Sequence, residues 1–262
     1  MTRLEHLHLW IPTYDDAVYN SFASLNFPAL RRFGCHQPRG CADHQLVAFL
    51  DHHPALTHLE IIPPYRDVDH QSESSCLFHL HIPALREYRG SATYFLRITI
   101  SGRCLEQASF WDVPPKADLP EQLFQALAST TTICRPFSLT FLWDGFFWDR
   151  FQAATLALLA KHLPNLRSLK IAPFNLPVRP LNLAAVTTIV EMLAALKHIS
   201  EFHHDNPADG VLDQDKQDAN NDRLAVTQWG DRCPTLISIQ LHNQTWLRGR
   251  DGKFAPAAAA LV

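Results

Sequence analysis

Apolar residues return along this chain in one short phrase, L-x-x-φ-x-φ, where φ is apolar. "MTRLEHLHL", "FPALRRFGC", "HPALTHLEI", "IPALREYRG", "LPNLRSLKI" and "CPTLISIQL" carry it, and Pro28, Pro54, Pro83, Pro164 and Pro234 each stand two residues before its first leucine. Weaker copies begin at Leu105 ("LEQASF"), Pro136 ("PFSLTF") and Leu196 ("LKHISE"). With Leu4, Leu30, Leu56, Leu85, Leu166 and Leu236, the first positions are spaced 26, 26, 29, 20, 31, 30, 30 and 40 residues apart. That is the length of a strand-plus-helix repeat.

Alternation with a period of two predicts a strand at each phrase, its fourth and sixth residues facing inward and its third and fifth outward. The third positions are His6, Arg32, His58, Glu87, Gln107, Ser138, Ser168, His198 and Ser238, and the fifth are His8, Gly34, Glu60, Arg89, Ser109, Thr140, Lys170, Ser200 and Gln240. All are polar or glycine. The fourth positions, from Leu7, Phe33, Leu59 and Tyr88 to Ile199 and Ile239, can all pack.

Amphipathic runs between the phrases predict helices: "DDAVYNSFASLN", "LPEQLFQALAS" with Leu123, Phe124 and Leu127 on one stripe, "FQAATLALLAKHL", "LAAVTTIVEMLAALKH" and "RLAVTQWGDR". The expected fold is α/β, a leucine-rich-repeat solenoid of about nine irregular repeats in one domain over residues 1–262. Parallel strands form its concave face and helices its convex face. A proline-rich connection is expected at 172–183 and an exposed polar loop insertion at 203–222. No polar cap is visible at the end of the array.

Composition narrows the function classes. The chain is 262 residues long and 47% hydrophobic, enough for a sizeable core. With 23 basic and 26 acidic side chains, its net charge of −3 points to neither nucleic acid nor an anionic membrane as the partner. Cys35, Cys41, Cys76, Cys104, Cys134 and Cys233 are scattered without a C-x-x-C pair, which reads as free and mostly buried thiols in a reducing compartment. No secretory leader or stretch of 18 apolar residues is seen, so cytoplasm or nucleus is the expected location.

Two H-x-H pairs, His6-Leu7-His8 and His79-Leu80-His81, raise the question of a metal. His81 precedes Pro83 by two residues, as His52 precedes Pro54 and His162 precedes Pro164, so it belongs to the turn before a strand. His6 and His8 instead face outward from the first strand, where His58 and Glu60 could join them. Arg32 intervenes, and zinc asks for three or four convergent ligands. Neither a metal nor a cofactor is therefore expected. "RGRDGKF" (248–254) lacks the glycine spacing and the serine or threonine of a phosphate loop, and no G-x-S-x-G elbow occurs. "FLWDGFFWDRF" (141–151) reads as a loop anchored by its own aromatics rather than a recognition patch.

The phrases "FPALRRF", "HPALTHLEI", "IPALREYRGSATYFLR" and "LPNLRSLKI", with the closing "CPTLISIQLHNQTWLRGRDGKF", resemble the degenerate leucine-rich region of fungal F-box-like proteins over nearly the whole chain. The resemblance implies the substrate-recognition part of an F-box-type ubiquitin ligase receptor. The F-box itself is not visible, so a Skp1-type adaptor is expected only if an F-box lies upstream.

The expected function is thus a non-catalytic, intracellular protein–protein interaction module, not an enzyme. Its contact residues are His6, His8, Arg32, His58, Glu60, Glu87, Arg89 and Lys170 on the concave face. The alternatives are a histidine-rich metal-dependent hydrolase and a truncated repeat fragment with no independent function.

Overall fold

The structure, a computed structural model, describes residues 3–9, 21, 24–36, 43–62, 80–100, 105–111, 119–131, 136–144, 153–174, 183–204, 219–241 and 244–257. The chain divides into two compact units, Met1–Pro115 with Ser129–Thr132, and Lys116–Ala128 with Ile133–Val262.

The first unit contains, in chain order, β1 (His6–Leu9), β2 (Arg32–His36), α1 (Asp43–Asp51), β3 (His58–Ile62), β4 (Leu80–His81), β5 (Glu87–Gly90), α2 (Ala92–Phe95), β6 (Ile98–Thr99) and β7 (Gln107–Phe110). Strands β1, β2, β3, β5 and β7 lie side by side in that order, all parallel. The short strands β4 and β6 pair with each other. The second unit holds most of α3 (Leu119–Thr130), then β8 (Phe137–Asp144), α4 (Ala153–His162), β9 (Leu166–Phe174), α5 (Leu183–Ala195), β10 (Glu201–His204), α6 (Ala219–Arg232), β11 (Ser238–Leu241), β12 (Gln244–Arg248) and β13 (Phe254–Pro256). Its strands β8 to β11 are parallel, and β12 and β13 add antiparallel strands beside β11. Both units are mixed α/β with mostly parallel strands.

A turn before each strand explains why the phrase works. The N–H groups of Leu30, Leu56 and Leu85 donate to the carbonyls of Phe27, His53 and Ile82, and those of Leu166 and Leu236 to Leu163 and Cys233. Each is an i to i+3 turn with proline at its second position, where the ring presets φ and no N–H is needed. The next residue then bonds to the preceding repeat: Thr57 N–H to Arg31 O, Arg86 to Thr57 and Glu106 to Arg86, each at 2.8 Å. One turn and one bond per repeat thus set the register.

That register corrects one strand. Ile199 N–H donates to Leu196 O, and Ser200 N–H to Arg167 O. Leu196 is therefore the first residue of the turn, not of the phrase, and Glu201 rather than His198 aligns with Ser168 and Ser238. No proline marks this turn, and a leucine in the wrong phase drew the frame three residues early. Phe202, not Ile199, is the fourth-position core residue, and it is fully buried.

The remaining inward positions are buried as the alternation predicts. Phe33, Leu59, Tyr88 and Ala108 in the first unit, and Leu139, Leu169 and Ile239 in the second, are at most 2% exposed, while Leu7 is half-buried. Helix α3 buries Leu123, Phe124 and Leu127. Of the expected connection at 172–183, residues 172–174 belong to β9 and Leu183 opens α5. Of the polar segment 203–222, His203 and His204 belong to β10 and 219–222 to α6. Most of "DDAVYNSFASLN", where a helix is expected, and most of "FLWDGFFWDRF" lie outside the described residues.

An aromatic cluster anchors the first unit. The Tyr88 ring lies 5.1 Å from Phe95 and 5.9 Å from Phe110. Its hydroxyl donates to Ser91 O at 2.8 Å, while Ser91 Oγ accepts from Thr93 N–H and caps α2. Gly90 sits beneath this hydroxyl: a Cβ there would lie 2.6 Å from it and 3.1 Å from the Ile61 carbonyl. Gly34→Ala meets only the His8 ring, which is half exposed and can swing away. Gly90→Ala should therefore cost about 1–3 kcal/mol and Gly34→Ala less than about 1 kcal/mol. Urea denaturation of the two variants checks the ordering; equal losses would contradict it.

Histidines near the turns have different fates. His52 follows α1 and is exposed, His162 ends α4, and His81 lies in β4. The next residue in each case, His53, Ile82 or Leu163, is buried. His53 Nδ1 lies 2.6 Å from Phe49 O and Nε2 accepts the Phe27 N–H at 2.9 Å, which calls for the neutral Nδ1–H tautomer. Burial holds its pKa below the ordinary 6.5, assisted by His52 and opposed by the Phe49 carbonyl. Because the folded value is the lower one, the stabilisation is complete above about pH 6.5 and is lost as pH falls through the folded pKa. Lowering the pH from about 8 to about 5 should reduce the urea midpoint, and His53→Asn should flatten that slope. An unchanged slope would contradict the assignment.

Candidate protein-binding face

The register places seven of the eight expected contact residues on one face of the first unit's sheet. His6, Arg32, His58 and Glu87 are successive Cα partners across β1, β2, β3 and β5, and so are His8, Gly34, Glu60 and Arg89. Adjacent strands lie about 4.8 Å apart, so each row spans roughly 14 Å. Lys170 belongs to β9 of the second unit, between Thr140 and His203.

The outward side chains orient one another. Glu60 Oε1 lies 3.2 Å from the Arg89 guanidinium, and Oε2 lies 3.9 Å from His8 Nδ1. The His8 ring reaches Glu60 by lying over Gly34, where any Cβ would stand in its way. Arg89 also stacks over Trp111, 5.5 Å from the ring centre. In the other row His58 Nε2 is 3.2 Å from Glu87 Oε2, and its Nδ1 is 2.8 Å from the Thr57 hydroxyl. Burial, chiefly, and then the Arg32 charge lower the His58 pKa; His6 and Arg86 add to this, and Glu87 opposes it. Pairs as exposed as these are worth at most about 1 kcal/mol each, so they shape the face more than they stabilise it.

His58 turns to Glu87 and His8 to Glu60, while Arg32 lies between His6 and His58 in register. Among the described residues, no three His, Cys, Asp or Glu side chains gather as a ligand set. His79 lies outside the described residues, and His81 pairs with Thr99 in a separate sheet.

The outward rows are not uniformly exposed. Ser109 is 3% and Thr140 9% exposed, because a short side chain in a row of long ones has little surface of its own. In the second unit the row through Lys170 continues into His203, whose Nδ1 is 3.0 Å from Gln240 Oε1 and whose Nε2 is 3.9 Å from Glu201 Oε2. Reading Leu196 as the first position hid Glu201 and His203. The match of "LKHI" to "LPNL", apolar at both ends of the turn, was the signal that could have found them.

Cys35 and Cys233 are buried free thiols, and burial pushes the Cys35 pKa well above its ordinary value. The other four cysteines lie outside the described residues. Among the described residues no helix is long and apolar enough to cross a membrane.

No family model matches the chain, and no curated protein does. A crystal structure of a protein from Bacteroides fragilis is similar at 12% identity, covering 78% of this chain and 68% of its own, with a TM-score of 0.44.

Proposed function

We propose that this chain is a non-catalytic leucine-rich-repeat module whose outward strand face, the concave face of a solenoid, binds another protein. The observation that carries this reading is the pair of polar rows held in register over a buried core. Their side chains are partly exposed and already oriented by one another, so a partner meets a pre-arranged pattern of charge. Mixed signs suit a folded or extended protein surface better than a continuous phosphate backbone. The resemblance to fungal F-box-like proteins points to a ligase substrate as the partner, with a Skp1-type adaptor only if an F-box lies upstream.

Affinity capture from a fungal lysate tests this with three baits: the natural chain, Glu87→Lys with Arg89→Glu, and Arg223→Glu on the exposed surface of α6. A protein held by the first and third baits and lost by the second, then shown to bind directly when purified, is the expected result. Equal retention by all three, or none by any, would sink the proposal.

A further inference from the structure

Charge on the binding face is unevenly satisfied. Both carboxylates of the two rows are engaged, Glu60 by Arg89 and His8, and Glu87 by His58. Arg32 is exposed, and among the described residues its guanidinium makes neither an ion pair nor a hydrogen bond. Its two Cα partners are His6 on β1 and His58 on β3. Three adjacent positions in one row therefore carry a cation and two imidazoles, and among the described residues only His58 of the three has a carboxylate beside it.

Resting on the module reading, we infer that Arg32, flanked by His6 and His58, anchors a carboxylate of an acidic, extended segment of the partner protein. An arginine offers a planar fork that fits a carboxylate through two parallel hydrogen bonds. Strands about 4.8 Å apart bring the His6 imidazole within reach of the same anion, while His58, held by Glu87 and Thr57, stands beside it. The groups facing His58 are Arg32, His6, Arg86, Glu87 and the Thr57 hydroxyl. A bound carboxylate relieves the repulsion that Arg32 and His6 exert on protonated His58. Glu87, two strands beyond Arg32, and Glu60 in the neighbouring row discourage a nucleic acid, whose phosphates are continuous. A discrete carboxylate in a peptide avoids both. The face is open and partly solvated, so one small anion gains little there, whereas a peptide adds backbone and neighbouring contacts.

The test uses the full chain at low salt, with a capped seven-residue peptide alternating serine and glutamate. Its glutamine counterpart and inorganic phosphate serve as separate probes. Imidazole NMR signals are followed, with buried His53 as the fixed reference. Saturable shifts at His6 and His58 are expected with the glutamate peptide, weakened roughly tenfold or more in Arg32→Gln. Absent shifts, shifts unchanged in Arg32→Gln, or equal shifts with the glutamine peptide or phosphate would each overturn the inference. A captured partner that needs Glu87 and Arg89 but binds Arg32→Gln undiminished would remove this anchor while leaving the module reading intact.

Discussion

Trp229→Ala is expected to cost the second unit about 3–5 kcal/mol. The indole is fully buried on α6 and meets the Phe202 ring of β10 edge-on, with centres 5.3 Å apart. Its Nε1–H donates to the Val186 carbonyl of α5 at 3.3 Å. One side chain thus ties two neighbouring helices to the strand they cover. Truncation leaves a cavity lined by rigid elements that cannot close over it, and removes the bond to the Val186 carbonyl. Trp229→Phe keeps most of the volume and should lose only about 1–2 kcal/mol. Urea unfolding of both variants separates the contributions; an alanine variant no worse than phenylalanine would contradict this account.

The second large effect lies at Arg248. Its guanidinium donates to four carbonyls: Leu236 at 2.6 Å, Gly230 at 2.8 Å, Gly252 at 2.9 Å and Cys233 at 3.1 Å. It also lies 4.7 Å from the centre of the Phe254 ring. Gly230 lies in the last turn of α6, where helix carbonyls lack partners within the helix and the dipole favours a cation, and Cys233 follows the helix as the first residue of the turn before β11. Phe254 presses against Gly230 so closely that a Cβ there would lie 2.7 Å away. The arginine therefore joins the end of α6, the turn before β11 and the β12–β13 hairpin.

Arg248→Gln should cost about 2–4 kcal/mol, because part-buried carbonyls lose charged donors. It should also speed amide exchange at Gly249 and Gly252, whose N–H groups close the hairpin. Arg248→Lys should recover less than half, since an ammonium cannot span four acceptors from one position. Full recovery by lysine would show that charge alone suffices.

This corner gives a place in the fold to two features of the sequence. The "RGRDGKF" stretch, set aside as a failed phosphate loop, is the β12–β13 hairpin, with Gly252 at φ +81° where other residues are strained. The missing cap has a counterpart as well: β12 and β13 run antiparallel beside β11, and Pro256 stands in the last strand of that sheet. A proline on an outer strand withholds an N–H from further pairing.

By itself the sequence determined where most of the parallel strands carrying the repeated phrase lie and which of their side chains are buried. An L-x-x-φ-x-φ phrase behind a proline turn is a local instruction: the turn closes over four residues and alternation follows from the pleat. Leu30, Leu56, Leu85, Leu166 and Leu236 could therefore be placed without knowing what packs against them. Where the proline is absent, at Leu196, the local signal is degenerate and the register came from Ser200 bonding to Arg167 in the neighbouring strand. The face followed the same division. Composition and spacing put His6, His8, Arg32, His58, Glu60, Glu87 and Arg89 in two outward rows. Only the tertiary structure decided that Glu60 serves Arg89 and His8, that Glu87 serves His58, and that Arg32 has no such partner among the described residues. Side-chain pairing depends on the rotamers chosen by residues 29 or 52 positions apart in sequence, and no local pattern encodes that choice. The Arg248 clamp lies further from local reach still, because its acceptors come from a helix end, a turn and a hairpin that only folding brings together.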